Sequence, residues 1–231
     1  KESSAASDVY KRQVYNLKSK KTLILFFALA MVATACSTAA VPCDEVEITT
    51  GENGLPDLDG CEFTFAVENA YLPFNYIDAT TGEAMGWDYD VFNYMGELMN
   101  FTPVYVPTAW DGMIQATADG QFMIAGDGIT ITSERDEIVD FSDGYINLAQ
   151  RVLVAVGNTE ITSIEDLKNN DFVVATQKGT TNYDYAVDAL GADKVKAFDD
   201  FNFAIQAVIS GDADASIIDE TAGLGYMLSL I

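Results

Sequence analysis

Arg135 lies in GITITSERDEIVDFSDGY (128–145), behind a strand-like run and in a short helix that Ser133 opens. A guanidinium there offers paired N–H donors to a carboxylate. Further on, QKGTTN (177–182) carries a strand through Gly179, Thr180 and Thr181 into a helix, whose first amides and dipole face an anion. Asp219 ends the strand-like ASIID, where α/β sheets place ligand contacts, and could accept hydrogen bonds from an ammonium. The set fits the two charged ends of a free α-amino acid. Tyr71, Phe74 and Trp110 stand in loops or at helix starts and could wall such a site. Each residue also has a plainer role. Arg135 could pair with Glu134 or Asp136, Thr180, Thr181 and Asp219 could cap helices, and Trp110 could belong to a core. Asp88 and Asp90 look like a catalytic dyad, but they open an amphipathic helix, whose N-terminal dipole favours acids.

Composition removes several classes of function. Across 231 residues, 36 acidic side chains against 12 basic ones leave a formal charge of −24. After Cys36 the only cations are Arg135, Arg151, Lys168, Lys178, Lys194 and Lys196. Such a surface repels nucleic acid and anionic headgroups, so nucleic acid is excluded as a partner. There is no histidine, which removes Ser-His-Asp and Cys-His catalysis and the usual zinc sites. No cofactor or metal is called for. With 49% apolar and 21% charged residues the chain has the makings of a core.

The elements that must position these groups begin late. DVYKRQ (8–13) is what GATGTGTATAAGAGACAG encodes, a sequence resembling the transposon end used to build sequencing libraries, and LSLI (228–231) is what its reverse complement encodes. Residues 1–13 and 228–231 are therefore read as adapter scars, so the native C-terminus is expected to be missing. Lys18, Lys20 and Lys21 precede TLILFFALAMVATA, too short for a membrane span and ending in small residues, which makes 14–35 a secretory leader. Ala33, Thr34 and Ala35 before Cys36 resemble a bacterial lipobox, which makes Cys36 the expected lipidation site. Residues 36–60, rich in Thr, Gly, Pro and acids without periodicity, read as an acidic tether. Cys43 and Cys61 are either a disulfide or two free thiols.

From Cys61 the pattern alternates. FTFAV, the apolar face of DYDVFNYMGELMN (Val91, Phe92, Met95, Leu98, Met99), TPVYV, WDGMIQATADG and FMIAG give β-α-β-α-β. RVLVAV, SIEDLKN with a capping box from Ser163 to Asp166, FVVAT, QKGTTNYDYAVDAL, KVKAF, DFNFAIQAVISG and ASIID repeat the alternation. The reading is α/β with two lobes, 61–147 and 148–227, joined near Asn147 to Arg151.

Four motifs in order resemble the family 3 extracellular solute-binding proteins, receptors of ABC importers for polar amino acids. They are ENAYLPF (68–74), GWDYDVFNYM (86–95), the Arg135 segment, and QKGTTN with DASIIDE (214–220). The resemblance spans about Phe63 to Tyr226. It implies a type II periplasmic-binding-protein (Venus-flytrap) fold, incomplete at the C-terminus and lacking the second hinge strand and closing helices of the first lobe. It implies partners as well: a free amino acid, an ABC permease with its ATPase subunit, and a membrane touched only through the lipid anchor, with the receptor a monomer in the periplasm or at the cell surface. Residue by residue, Arg135 would clamp the α-carboxylate with Thr130 and the amides of Gly128 and Thr181, and Asp219 would take the α-ammonium. Tyr71 and Trp110 would stack on the ligand, Glu68 would reach toward a polar or cationic side chain, and Phe74, Gln177 and Thr180 would complete the wall. Asp127 stands where members commonly have a small residue; it either repels an acidic ligand side chain or points away as a local cap. Glu68 and Asp127 together favour a neutral polar or basic amino acid. Two rivals remain: a dehydratase of prephenate-like acids on the same fold, with Glu68 or Asp127 as general acid, and the sensor module of a longer protein.

Overall fold

The computed structural model describes residues 41–229, with side chains described to Met227. The segments read as an adapter scar (1–13) and as a leader (14–35), the expected lipidation site Cys36, and the last two residues of the 228–231 segment lie outside the described residues. Among the described residues, no helix is long and apolar enough to cross a membrane.

The tether reading of 36–60 is corrected from residue 41 onward. Cys43, in a single 3-10 turn, forms a disulfide with Cys61. Strands β1 (Thr49–Thr50) and β2 (Pro56–Asp57) pair antiparallel, and Leu58 is buried beside Cys43 and Phe65. Two buried anchors in an otherwise polar stretch are enough to hold it against the first sheet; a composition count averages them away.

Strand β3 (Cys61–Val67) is the middle of that sheet. A ribbon of β4 (Ala70–Tyr71), β5 (Asn75–Ile77) and β6 (Ala84–Met85) precedes α1 (Trp87–Met99). Then come β7 (Phe101–Pro107), α2 (Met113–Ala118), β8 (Ile124–Ala125) and the single turn α3 (Ser133–Asp136). The sheet runs β7-β3-β8, all parallel, with Phe65 aligned between Tyr105 and Ile124. Helix α1 lays Phe92, Met95 and Met99 on Phe65 and Phe101, while Leu98, counted on the same face, is exposed. Gly86 sets the start of α1: its φ is 131°, and a Cβ there would stand 2.3 Å from the Phe74 carbonyl oxygen.

In the second half, β9 (Gln150–Val154), α4 (Ile164–Asn169), β10 (Val174–Gln177), α5 (Thr181–Leu190), β11 (Val195–Phe198), α6 (Phe201–Ser210), β12 (Ala215–Asp219) and α7 (Glu220–Ser229) follow in turn. The sheet order is β11-β10-β12-β9, with β9 alone antiparallel and Asp219 opposite Gln150. Period-2 alternation explains the apolar run Phe172–Ala175 that enters β10: Val174 faces Leu167, Ala186 and Ile217, whereas Ala175 faces Ala204, Ala207 and Val208 of α6. The capping box of Ser163 and Asp166 forms.

Neither sheet shares a strand with the other, so the fold is two-lobed. One apolar cluster crosses between them, joining Tyr71 and Phe74 to Phe201, Ile205, Ile218, Ala222 and Tyr226. Burying each large side chain of this kind contributes about 1.5–3 kcal/mol. The cluster closes one side of the cleft.

Candidate functional site

Strands deliver the predicted residues from their carboxyl ends: Glu68 follows β3, Asp127 follows β8, Gln177 ends β10 and Asp219 ends β12. With Tyr71, Trp110, Gly128, Thr130, Arg135, Thr180 and Thr181 they line one cavity of about 30 Å³ between the lobes. Phe74 does not reach it. Its ring is buried behind Tyr71, centroids 5.2 Å apart, because the tight turn joining β4 to β5 points it into the interlobe core.

At one end stands Arg135. Helix α3 opens at Ser133 as expected, and Thr132, the last extended residue, caps it, its hydroxyl accepting from the Arg135 N–H at 3.3 Å. The guanidinium donates to the carbonyls of Thr130 at 2.8 Å and Gly179 at 3.4 Å, and lies 5.1 Å from the centre of the Trp110 ring. It has no ion pair among the described residues, so neither Glu134 nor Asp136 claims it. Burial pushes its pKa below the usual value, and Asp184, Asp219 and Glu134 oppose that at a distance. Nearby, Thr180 caps α5 by accepting from Tyr183 N–H at 3.2 Å, which leaves the first amides of that helix facing the cavity. Gly128 has φ 55°, and a Cβ there would come within 2.8 Å of the Tyr71 ring. Only glycine lets this backbone approach so closely.

The other end is acidic and buried. Glu68 accepts from Gln177 Nε2 at 2.6 Å, yet burial pushes its carboxyl up to about 7. Asp127 is 5% exposed and accepts from Asn75 Nδ2 at 2.5 Å; burial, then the charge of Glu68, holds it well above the carboxylate range. The same amide donates to Asp88 at 2.8 Å, and burial pushes Asp88 up to about 6. Asp88 therefore turns inward, and the reading of it as a dipole-favoured residue at the helix start gives way to a buried hydrogen bond. Asp219 accepts from the Tyr71 hydroxyl across the cleft, and burial followed by that neighbouring charge drives the phenol far above its ordinary value.

Two residues escape sequence reasoning. Asn75 looks like a turn residue beside Pro73, and nothing local marks it as the shared donor of two acids. Asn182, the last residue of QKGTTN, also lines the cavity; its place in the first turn of α5, beside the predicted Thr181, was the available signal. Lys178 does not add charge to the pocket, because it pairs with Asp111 at 3.0 Å and Asp199 at 3.1 Å.

The profile of bacterial extracellular solute-binding proteins, family 3, matches residues 63–218. A probable histidine-binding protein of Neisseria gonorrhoeae is 29% identical over 170 residues, covering 73% of this chain and 62% of that protein. The cyclohexadienyl dehydratase of Pseudomonas aeruginosa is 26% identical over 155 residues, 67% of this chain and 58% of that enzyme. Among solved structures, an ancestral amino acid-binding protein, a precursor of cyclohexadienyl dehydratase, superposes with a TM-score of 0.68 at 36% identity over 73% of this chain and 74% of that one. Fold and site together define a type II periplasmic binding protein. The chain belongs to the family 3 extracellular solute-binding proteins, and it spans about six tenths of the curated relatives it matches.

Proposed function

We propose that the protein is the substrate-capturing lipoprotein of an ABC importer, anchored outside the cytoplasmic membrane through Cys36 and acting as a monomer. It takes a neutral polar or basic amino acid between its lobes and delivers it to a permease driven by an ATPase subunit. The observation that carries this reading is the guanidinium of Arg135, unpaired among the described residues, sharing one cavity with the start of α5 and the carboxylate of Asp219. In this reading Arg135, Thr130 and the amides of Gly128 and Thr181 hold the α-carboxylate, Asp219 exchanges its Tyr71 partner for the α-ammonium, and Tyr71 and Trp110 cover the ligand.

Mechanism follows from contacts that already cross the cleft. Gln177 to Glu68, Tyr71 to Asp219, and Trp110 Nε1 to the Gly179 carbonyl at 3.1 Å link the lobes directly. A ligand that bridges both lobes with more contacts than the links it displaces binds the closed state better than the open one, which is what hinge closure requires. Four or five charge-assisted hydrogen bonds of about 1.5–3 kcal/mol each, less ordering costs, support micromolar affinity, about −8 kcal/mol. Calorimetric titration with a panel of amino acids tests the reading. Saturable binding of a polar or basic amino acid, lost in Arg135→Ala, is expected, and a folded protein that binds none contradicts it.

A second reading rests on Glu68. A cavity-lining carboxyl pushed up to about 7 can hold a proton at neutral pH and so serve as a general acid, and one relative is a dehydratase. Turnover of a cyclohexadienyl acid, absent in Glu68→Gln and Asp127→Asn, would decide for it.

A further inference from the structure

The wall that Tyr71 contributes to the cavity is held by both lobes. From its own lobe come Phe74, whose ring lies 5.2 Å from that of Tyr71, and Gly128, whose missing side chain leaves room for the Tyr71 ring. From the second lobe come Asp219, which accepts from the phenol, and Phe201, whose ring stacks on Tyr71 with centroids 5.6 Å apart and planes 23° apart. Phe201 is 3% exposed, yet it is not among the residues lining the cavity. Phe203, two positions on, is 58% exposed. Helix α6 therefore turns one of these two phenylalanines onto Tyr71 and leaves the other in solvent.

Phe201 is fixed at the point of contact. It opens α6, which Asp200 caps by accepting from the Phe203 N–H at 3.1 Å. The Asp199 carbonyl accepts from Gln177 Nε2 at 2.9 Å, which ties the turn before the helix to a residue of the cavity. From α7, the Tyr226 hydroxyl donates to the carbonyl of Ala70, the neighbour of Tyr71, at 2.7 Å. Stacked rings attract one another only at centroid separations of about 4.5–7 Å. A hinge rotation that parted the lobes by a few ångströms would take Phe201 off Tyr71 and leave Phe74 where it is.

We infer that Phe201 is a positioning residue for amino-acid capture: closure brings its ring onto Tyr71, and this contact sets Tyr71 in place against the bound amino acid. The inference rests on the amino-acid reading above and adds to it a residue that never touches the ligand. A wall held from one lobe alone would be set whether the cleft is open or closed. Held from both, it is set only when the lobes meet, so that closing and completing the wall are one event. The contact is made of rings buried away from the ligand side chain, so it acts on every amino acid alike.

A double-mutant cycle of Phe201→Leu and Tyr71→Leu in the whole chain, titrated calorimetrically with the twenty L-amino acids, tests the inference. Phe201→Leu alone should weaken every amino acid that binds by about tenfold, the worth of a lost ring contact. In the Tyr71→Leu background the same substitution should change affinity by less than about threefold, because its partner is already gone. Stopped-flow kinetics should place the loss in faster dissociation, since the contact exists only with the lobes closed. A misfolded fraction lowers the stoichiometry and not the dissociation constant, so it cannot imitate this pattern; if the leucine variant shows no thermal transition, Phe201→Met takes its place. Equal losses in both backgrounds, a Phe201 variant with the parent affinity, or a loss confined to some of the amino acids would each overturn the inference and leave the amino-acid reading standing. A folded parent chain that binds none of the twenty would overturn both.

Discussion

At one end of the cleft Arg135 rides on a one-turn helix near the surface, held by two carbonyls and an aromatic face. At the other, Asp127 and Asp88 are buried around a single asparagine, Asn75, with Glu68 nearby accepting from Gln177. The first end is assembled from backbone amides, a helix start and one cation, groups that any α-carboxylate would satisfy. The second is assembled from largely buried acids that take part in no ion pair among the described residues. In this account the first end recognises an amino acid as such, and the second chooses among them.

The largest effect expected from breaking this contrast is at Arg135. Arg135→Ala removes two charge-assisted hydrogen bonds of about 1.5–3 kcal/mol each, so affinity should fall at least a hundredfold for every amino acid alike. Arg135→Lys should recover only part of it, since an ammonium lacks the two-pronged geometry. Titration calorimetry on both variants reads this out, and a loss confined to basic amino acids would put Arg135 at the wrong end.

Asp219→Asn should cost about ten- to a hundredfold, because the α-ammonium loses its counter-charge but keeps an acceptor. Asp219 also holds Tyr71, so Tyr71→Phe is the control. The phenylalanine variant should bind at least as well as the parent if the hydroxyl competes with the ligand, and much worse if it contacts the ligand.

A smaller, pH-dependent effect separates the ends further. Glu68 faces the acids Asp200 and Asp127, and burial lifts its carboxyl from the ordinary 4.5 to about 7. Between those values the folded, ligand-free protein keeps a proton that the unfolded chain has released. Its contribution to stability is therefore complete below about 4.5 and declines as pH rises toward 7. Glu68→Gln should flatten that decline in chemical-denaturation midpoints measured from pH 4.5 to 7.5. Affinity for L-arginine should run the opposite way, rising severalfold from pH 5.5 to 8 as the carboxyl becomes a carboxylate, while that for L-citrulline stays level. An arginine affinity that fell over this range would contradict the role given to Glu68.

Least affected should be Lys178→Ala, which removes exposed pairs with Asp111 and Asp199 outside the cavity; affinity should change by less than threefold. A larger loss would mean that the first end draws on a cation the geometry assigns elsewhere.

Much of this contrast was legible in the chain, but unevenly. The alternation of strands and helices, the capping box at Ser163 and the helix start at Thr180 are local signals, and the structure has them where periodicity and capping chemistry place them. Asp219 was legible because it ends a strand, so its position on the sheet is set by counting; Arg135 was legible from the short helix opened at Ser133, although the strand-like run expected before it forms no strand over residues 126–132. The acidic end was not. Asn75, Asp88 and Asp127 come from three separate elements, and only tertiary packing brings one amide between two acids. The segment around Cys43 and Leu58 was misread for a related reason. Its local composition is that of a linker, and its order comes from a disulfide and one buried side chain contacting residues elsewhere in the chain.

The central claim is that the two ends of the cleft grip opposite ends of one amino acid. A crystal structure of the chain grown with L-arginine tests it most directly. The account predicts the α-carboxylate on Arg135 and the start of α5, the α-ammonium on Asp219, and the guanidinium against Glu68 and Asp127. An arginine bound in the reverse orientation, or bound outside the cleft altogether, would contradict it.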